Sequence, residues 1–188
     1  MAPIVAARAF TVGHSRRSLA ELVALLREAG VTDLIDVRRI PRSRFNPHFN
    51  GNALVAALPA HGIRYHAIPD LGGLRDNVSA GAANAGWKDP AFRAFADYAG
   101  TAAFARAYAE LLARAVAAPS AIMCAERDWR HCHRQIIADR LIAEGFAITH
   151  LVGPGASEPG ALTPFARLEP GGRVVYPAPQ PRQTRLEL

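Results

Sequence analysis

Long apolar runs and cysteines are scarce in this chain of 188 residues. No run approaches the roughly 20 apolar residues that a membrane-spanning helix needs, so we expect no membrane association. The N-terminal segment MAPIVAARAF has no basic region, and its apolar stretch is too short for a signal peptide. Two cysteines are too few for a disulfide framework, so we expect free thiols and a cytoplasmic location.

Lysine is almost absent as well. Of the 22 basic residues, all but Lys88 are arginine, and the formal net charge is +6. Guanidinium groups bind carboxylates and phosphates through a planar fork, so the composition favours an anionic small molecule or a nucleic acid as partner. Charge alone does not decide between these two classes.

What the chain does contain is an alternation of short apolar segments with segments of helical periodicity. The first helix is predicted to begin at Ser18, whose spacing from Glu21 is that of a capping box. This alternation predicts an α/β fold with a mostly parallel open sheet of about five strands and helices on both faces, a Rossmann-like three-layer arrangement. The predicted strands are Ala9–Val12, Leu34–Val37, Arg64–Ile68, Ser120–Met123 and Ala147–Val152.

The domain organisation follows from composition along the chain. We predict one α/β domain over residues 1–177, with its core at about 8–152, and a flexible tail at 178–188. Residues 153–177 are rich in Pro and Gly and form a C-terminal extension, with a hairpin predicted at Leu168–Tyr176. The segment from Leu71 to Asp89 lacks apolar periodicity, which predicts a long loop.

Reactive side chains collect where the predicted strands end. Ligands of parallel α/β sheets bind outside the carboxyl ends of the strands, so this coincidence predicts a crevice there. Arginines are also clustered after the first two strands, which indicates either a solvated basic face or an anion site. The strand-end candidates are His14, Ser15, Asp36, Arg38, Tyr65, Gly72, Gly73, Cys124 and Glu126, and the clustered arginines are Arg16, Arg17, Arg38, Arg39, Arg42 and Arg44.

The segment MCAERDWRHCHR, residues 123–134, holds both cysteines. Cys124 and Arg130 have the spacing of a phosphatase loop, but the segment contains two acids and a tryptophan and lacks glycine, which disfavours that interpretation. Cys132 and His133 are adjacent and would diverge on a helix, so a structural zinc site is not favoured either.

Helical periodicity after this segment allows a prediction of side-chain direction. It places Arg134 on the buried stripe, facing the crevice, with His133 at the edge of the stripe. Cys132 would project roughly 150° away from the centre of the stripe, if the helix already includes it. A helix N-terminus would still lower its pKa, so a reactive thiol stays an open alternative.

Several motifs in a fixed order resemble a bacterial family, the domain of unknown function 488. The resemblance runs from about Phe10 to Leu151 and continues in the tail through Leu162 to Ala166 and Val175 to Pro177. It implies a compact α/β protein and marks the matching positions as candidates for a shared site, but it implies no reaction, substrate or cofactor. The motifs are Gly13-His14-Ser15, Asp36-Val37-Arg38 with Pro41 and Ser43, Leu71-Gly72-Gly73, Cys124-Ala125-Glu126 and Cys132-His133-Arg134.

The first functional hypothesis is an enzyme, a hydrolase or transferase, that binds a phosphorylated, nucleotide-like or nucleic-acid-like substrate in the crevice. A divalent metal at Asp36 and Glu126 is compatible with this hypothesis. The catalytic candidates are Asp36, Glu126, His14, Cys124 and Cys132. The substrate-binding candidates are Ser15, Arg38, Ser43, Tyr65, Gly72, Gly73, His133 and Arg134.

Two alternatives stay open. One is a thiol-based enzyme or redox sensor that uses Cys124 and Cys132. The other is a non-catalytic module that binds nucleic acid through its arginine-rich loops. The sequence predicts neither the oligomeric state nor the identity of a metal.

Overall fold

Five short strands follow one another along the chain with helices between them, as the sequence predicts. The computed structural model describes residues 7–75 and 83–179. Part of the predicted Leu71–Asp89 loop, and the predicted tail from residue 180 onward, lie outside the described residues. The strands are β1 (Arg8–Gly13), β2 (Asp33–Asp36), β3 (Arg64–Ala67), β4 (Ser120–Cys124) and β5 (Ala147–Gly153). The α-helices are α1 (Leu19–Glu28), α2 (Gly51–Ala57), α3 (Pro90–Tyr98), α4 (Ala102–Ala117) and α5 (Arg134–Ala143).

These strands form one sheet with a sixth strand, β6 (Ala156–Pro159), at its edge. The order is β3-β2-β4-β1-β5-β6, and all neighbours are parallel except β5 and β6, which are antiparallel. The predicted α/β class is therefore confirmed, and the strand count rises from about five to six. β6 was not predicted because it is short, carries no apolar alternation and is mostly exposed.

Two apolar cores cover the two faces of the sheet. Successive residues of β4 point to opposite faces of the sheet. Ile122 packs into the core that contains α3, α4 and α5. Met123 packs into the core that contains α1 and α2. Side chains that alternate in this way along strands buried on both faces are typical of three-layer α/β folds. The predicted capping box at the start of α1 is confirmed, with Ser18 and Glu21 serving each other's backbone N–H groups.

The C-terminal extension packs against α5. Its predicted hairpin is confirmed as β7 (Arg167–Glu169) and β8 (Arg173–Val175), which are joined through two glycines with positive φ. Asp139 of α5 links the extension to the domain, because its buried carboxylate accepts hydrogen bonds from the Tyr176 hydroxyl at 2.8 Å and the Thr163 N–H at 2.9 Å. Among residues 7–75 and 83–179, no helix has the length and apolar character that crossing a membrane requires.

The Asp139 contacts give a prediction for stability. Burial raises the pKa of this carboxyl, and the hydrogen bonds from Thr163 and Tyr176 offset only part of the effect. The folded state therefore holds the proton more tightly than the unfolded state, so this group's contribution to stability is lost as pH rises through the folded pKa. Asp139→Asn, which is neutral and keeps the polar contacts, is expected to unfold at higher urea concentration than the wild type at neutral pH, with the difference shrinking in acid.

Asp139→Ala is the matched comparison, because it leaves Thr163 and Tyr176 without a partner and is expected to cost about 1–3 kcal/mol of unfolding free energy. Glu110→Gln, at an exposed i,i+4 pair on α4, serves as the surface control. Equal losses in Asp139→Asn and Asp139→Ala across the pH series would contradict this account.

Candidate functional site

A cavity of about 560 Å³ opens at the carboxyl ends of β2 and β4. Arginines and an isoleucine come from the loop after β2, and apolar side chains come from the segments before and within α3. Thiols and imidazoles come from the end of β4 and the segment after it. This position agrees with the predicted crevice, because a ligand here would lie beyond the strand ends. The lining residues are Arg38, Arg39, Ile40, Arg42, Gly73, Leu74, Ala91, Phe92, Cys124, Ala125, Glu126, His131, Cys132 and His133.

Backbone hydrogen bonds extend the sheet beyond β4 and fix the floor of the cavity. The N–H groups of His14 and Ser15 donate to the carbonyl oxygens of Cys124 and Ala125, both at 2.9 Å. Gly13 lies so close to the next residue of this segment that a Cβ on it would come within 1.9 Å of the Glu126 carbonyl oxygen. A side chain at Gly13 would therefore displace the segment that carries Cys124.

Cys132 lies at the floor of this cavity and is only 4% exposed. The prediction that it projects away from the buried stripe is wrong. α5 begins only at Arg134, and Cys132 has an extended backbone with φ −133° and ψ 140°, so helical phase does not apply to it. The extended conformation turns the thiol inward toward Cys124.

Three groups surround the sulfur of Cys132. The Nε–H of Arg134 donates to it at 3.1 Å, and Nδ1 of His133 lies 3.6 Å away. The thiol of Cys124 is the third, since the donor atoms of Cys124, Cys132 and His133 all lie within 4.8 Å of one another. Both cysteines are free thiols, as predicted.

Arg134 is 1% exposed, which confirms its predicted burial. A buried guanidinium is costly unless an anion accompanies it. Within the described part of the chain no carboxylate forms an ion pair with Arg134, whose other contact is the carbonyl oxygen of Glu126. The Cys132 sulfur is therefore the group beside Arg134 that can carry the balancing charge, as a thiolate. This corrects the expectation that Arg134 binds a substrate anion directly.

The two thiols have opposite pKa shifts. Burial alone would raise the pKa of Cys132, but the Cys124 thiol, the Arg134 charge and the His133 imidazole together hold it well below its ordinary value. The hydrogen bond to Cys132 raises the pKa of Cys124, with burial as the second cause. These directions favour Cys132 as the thiolate of the pair and Cys124 as its protonated neighbour.

His133 is held in an orientation that suits proton transfer. Its Nε2 lies 3.1 Å from the Val37 carbonyl oxygen, which can only accept a hydrogen bond, so Nδ1 faces Cys132 with its lone pair when the ring is neutral. Gly73 makes room for the ring, because a Cβ there would come within 2.5 Å of Nδ1. A nucleophile, a base and a carbonyl that orients the base are the parts that nucleophilic catalysis needs.

Asp36 does not reach the cavity, which corrects its assignment as general base or metal ligand. Its carboxylate is 0% exposed and accepts hydrogen bonds from Nε, Nη2 and the backbone N–H of Arg38 and from the Tyr65 hydroxyl. A guanidinium already balances its charge, and Glu126 is exposed at the cavity wall. Asp36 instead positions Arg38.

His14 is likewise a supporting residue rather than a catalytic or anion-binding one. Its Nδ1 lies 3.1 Å from the Ser15 carbonyl oxygen, and its Nε2 lies 3.1 Å from Nη1 of Arg38. Burial, helped by the nearby Arg38 charge, lowers the pKa of His14 to about 4. The neutral ring therefore accepts a hydrogen bond from Arg38 and offers no positive charge to a substrate.

The remaining predicted binding residues also have local roles. Ser15 adopts a positive φ of 46° and lines a separate cavity of about 210 Å³ with Arg16, Arg17 and Arg127. Ser43 stabilises its own loop, where its hydroxyl accepts from the Asn46 N–H. Tyr65 holds Asp36, and Gly72 allows the close approach of the Arg39 backbone.

The segment between the cysteines is held from β5 and β6. The Trp129 ring stacks on His150 with centroids 3.9 Å apart, and its Nε1–H donates to Glu158 at 3.0 Å. Arg130 donates to the same Glu158 carboxylate at 2.6 Å and also pairs with Asp128. Arg130 is thus occupied away from Cys124, in agreement with the sequence argument against a phosphatase loop.

Sequence reasoning missed the apolar wall of the cavity. Ile40 and Leu74 are 61% and 73% exposed, and both line the cavity with Phe92. A single isoleucine between arginines is a weak signal in sequence, and the apolar patch becomes visible only when the fold brings Ile40, Leu74 and Phe92 to one cavity. Phe92 has helical spacing with core residues, so its sequence pattern indicates packing only.

A soft metal ion is the cofactor that the site could hold. Two thiol sulfurs and an imidazole nitrogen within 4.8 Å resemble the ligand set of zinc or copper(I). The Arg134 guanidinium, however, lies 3.1 Å from the Cys132 sulfur and would repel a cation at that position. The charge of the site therefore favours the free thiolate over a metal complex.

The fold and the site together define an α/β protein in which a buried arginine contacts a cysteine sulfur beyond the strand ends. A model of the family described as domain of unknown function DUF488 matches residues 18–141, about two thirds of the chain. The chain belongs to this family. The matched span includes the motifs at Asp36, Leu71, Cys124 and Cys132, whereas the Gly13 motif and the tail motifs lie outside it. No curated protein and no solved structure matches the chain.

The buried pair of Asp36 and Arg38 gives a prediction for stability. Asp36→Asn leaves the guanidinium buried without its counter-ion, and breaking such a pair costs about 3–5 kcal/mol of unfolding free energy. Urea denaturation should report this loss. Asp128→Asn removes an exposed partner of Arg130 and serves as the control, with an expected loss below about 1 kcal/mol. If Asp36→Asn loses no more unfolding free energy than the control, Asp36 does not stabilise the buried charge of Arg38.

Proposed function

We propose that this protein is a thiol-dependent enzyme that uses Cys132 as its nucleophile against an anionic substrate bound in the 560 Å³ cavity. The observation that carries the proposal is the contact of the buried Arg134 guanidinium with the Cys132 sulfur. A thiolate is the nucleophilic form of cysteine, and a fixed positive charge beside it maintains that form.

The surroundings of the thiolate support catalysis rather than a structural role. Cys132 faces the cavity, so an electrophile bound there can reach the sulfur. His133 lies beside the same sulfur, so its Nδ1 can take up the proton that Cys132 gives up and pass it to the leaving group. Attack by Cys132 would form a covalent intermediate, and a second nucleophile would release it, which is transfer or hydrolytic chemistry.

Arginines at the mouth of the cavity support an anionic substrate. Arg39 and Arg42 are exposed and line the cavity, and Arg38 lines it with its guanidinium fixed by Asp36. The cavity has the volume of a site for a nucleotide-sized molecule. Ile40 and Leu74 add an apolar surface, so a substrate that joins an acidic group to an apolar or aromatic group fits the lining.

A cytoplasmic location is part of the proposal, because the reaction needs Cys132 reduced.

A module that only binds nucleic acid is less well supported. Such a module would need the arginine-rich loops alone, and it would leave the costly burial of Arg134 beside a thiol without a role.

Alkylation with two reagents of matched size tests this proposal. Iodoacetate is an anion and iodoacetamide is neutral, and both alkylate thiolates. Peptide mass spectrometry is expected to show Cys132 modified before Cys124, with a higher ratio of iodoacetate to iodoacetamide rates than glutathione shows. Arg42→Ala and Arg39→Ala should each lower that ratio by up to about fivefold, the factor that corresponds to 1 kcal/mol of charge attraction.

Arg44→Ala is the matched control, because Arg44 is an exposed arginine of the same loop that does not line the cavity. Its rate ratio should equal that of the wild type. Preferential alkylation of Cys124, or a rate ratio that no cavity arginine changes, would contradict the proposal.

A further inference from the structure

We infer that Cys124 is a second catalytic thiol and that the site reduces a small hydroperoxide, cycling between a dithiol and a Cys124–Cys132 disulfide. This inference rests on the proposed function, because it takes Cys132 as the nucleophile. It adds the class of substrate and a role for the second cysteine.

The short separation of the two sulfurs carries the inference. The donor atoms of Cys124 and Cys132 lie within 4.8 Å of each other on the cavity floor, and both residues line that cavity. A disulfide needs the sulfurs about 2.05 Å apart, so the side chains must move together by a short distance only. Cys132 precedes α5 and has an extended backbone, so its side chain lies outside that helix.

Burial of Cys132 limits the kind of electrophile that it can attack. With 4% of its surface exposed, Cys132 favours a small electrophile, and the terminal oxygen of a hydroperoxide is a single atom. The O–O bond also yields an alkoxide or hydroxide that needs positive charge and a proton. Arg134 and His133 lie beside the sulfur and offer both.

The first step oxidises Cys132. Its thiolate attacks the terminal oxygen of ROOH, so that an S–O bond forms and the O–O bond breaks. The sulfur loses two electrons and becomes a sulfenic acid, and RO⁻ takes a proton, through His133, to leave as ROH. The cavity around this step is lined by Ile40, Leu74 and Phe92 together with arginines, which suits an organic R group that bears an acidic substituent.

The second step uses Cys124. Its sulfur attacks the Cys132 sulfur, an S–S bond forms, the S–O bond breaks, and the hydroxide leaves with the Cys124 proton as water. A thiol reductant, which gives up two electrons and two protons and becomes a disulfide, returns both cysteines to the reduced form. Without Cys124 the sulfenic acid has no thiol beside it and is open to further oxidation by excess peroxide.

Oxidation of the full-length chain by hydrogen peroxide tests this cycle. The wild type is expected to lose two hydrogens in its intact mass and both of its free thiols, and peptide mapping should show a bond between Cys124 and Cys132. Cys124→Ser should gain one oxygen instead, which dimedone traps as a sulfenic acid at Cys132 and which excess peroxide takes further to sulfinic acid.

Cys132→Ser is the matched control, because it keeps one cysteine of the same pair. It should lose the rapid reaction with peroxide and form no trapped sulfenic acid. Thiol counting and mapping on the wild type need no variant, so the test survives a substitution that impairs folding.

Three results would overturn the inference. They are a trapped sulfenic acid in the wild type without a disulfide, equal peroxide reactivity of the two variants, and stoichiometric zinc on the purified protein with both thiols inert. If Cys132 shows the anion-selective alkylation described above and peroxide still forms no disulfide, the redox cycle fails and the proposed function stands. If Cys132 also lacks that selectivity, both fail.

Discussion

The buried contact between the Arg134 guanidinium and the Cys132 sulfur is the interaction on which the site depends. Arg134 begins α5 with almost no exposure to solvent, its Nε–H donates to that sulfur, and no carboxylate of the described residues forms an ion pair with it. Moving a charge out of water costs several kcal/mol unless an opposite charge accompanies it. The fold therefore favours a thiolate at the cavity floor, with the Cys124 sulfur and Nδ1 of His133 close to it.

The rest of the domain holds this pair in place. β4 lies between β1 and β2, so the segments that follow those two strands pack against the end of β4 from both sides. Asp36 and His14 fix Arg38 beside the cavity, and the Trp129–His150 stack with Glu158 of β6 holds the segment between the cysteines. These polar residues position other side chains or segments, and they do not line the cavity themselves.

The sequence predicted the layered fold, the sheet and the cavity's position well, because buried strands and the capping box at Ser18 have strong local signals. It failed where the outcome depended on packing between distant segments. Asp36 and His14 were assigned to chemistry because polar residues at strand ends look alike in sequence, whether they face a cavity or a buried arginine. Cys132 was misplaced because its direction was deduced from the phase of a helix that begins only at Arg134. β6 was not predicted because its sequence has no apolar alternation. Its contacts to Trp129 and Arg130 come from the polar side chain of Glu158.

The ionisation of Cys132 tests the central claim most directly. In Cys124→Ser the chain has a single thiol, and the ultraviolet absorbance of its thiolate can be followed through a pH titration. The thiolate–guanidinium pair predicts a pKa well below the ordinary value of about 8.5. An inflection at or above that value in the folded variant would show that Arg134 does not hold Cys132 as a thiolate, and would contradict the account.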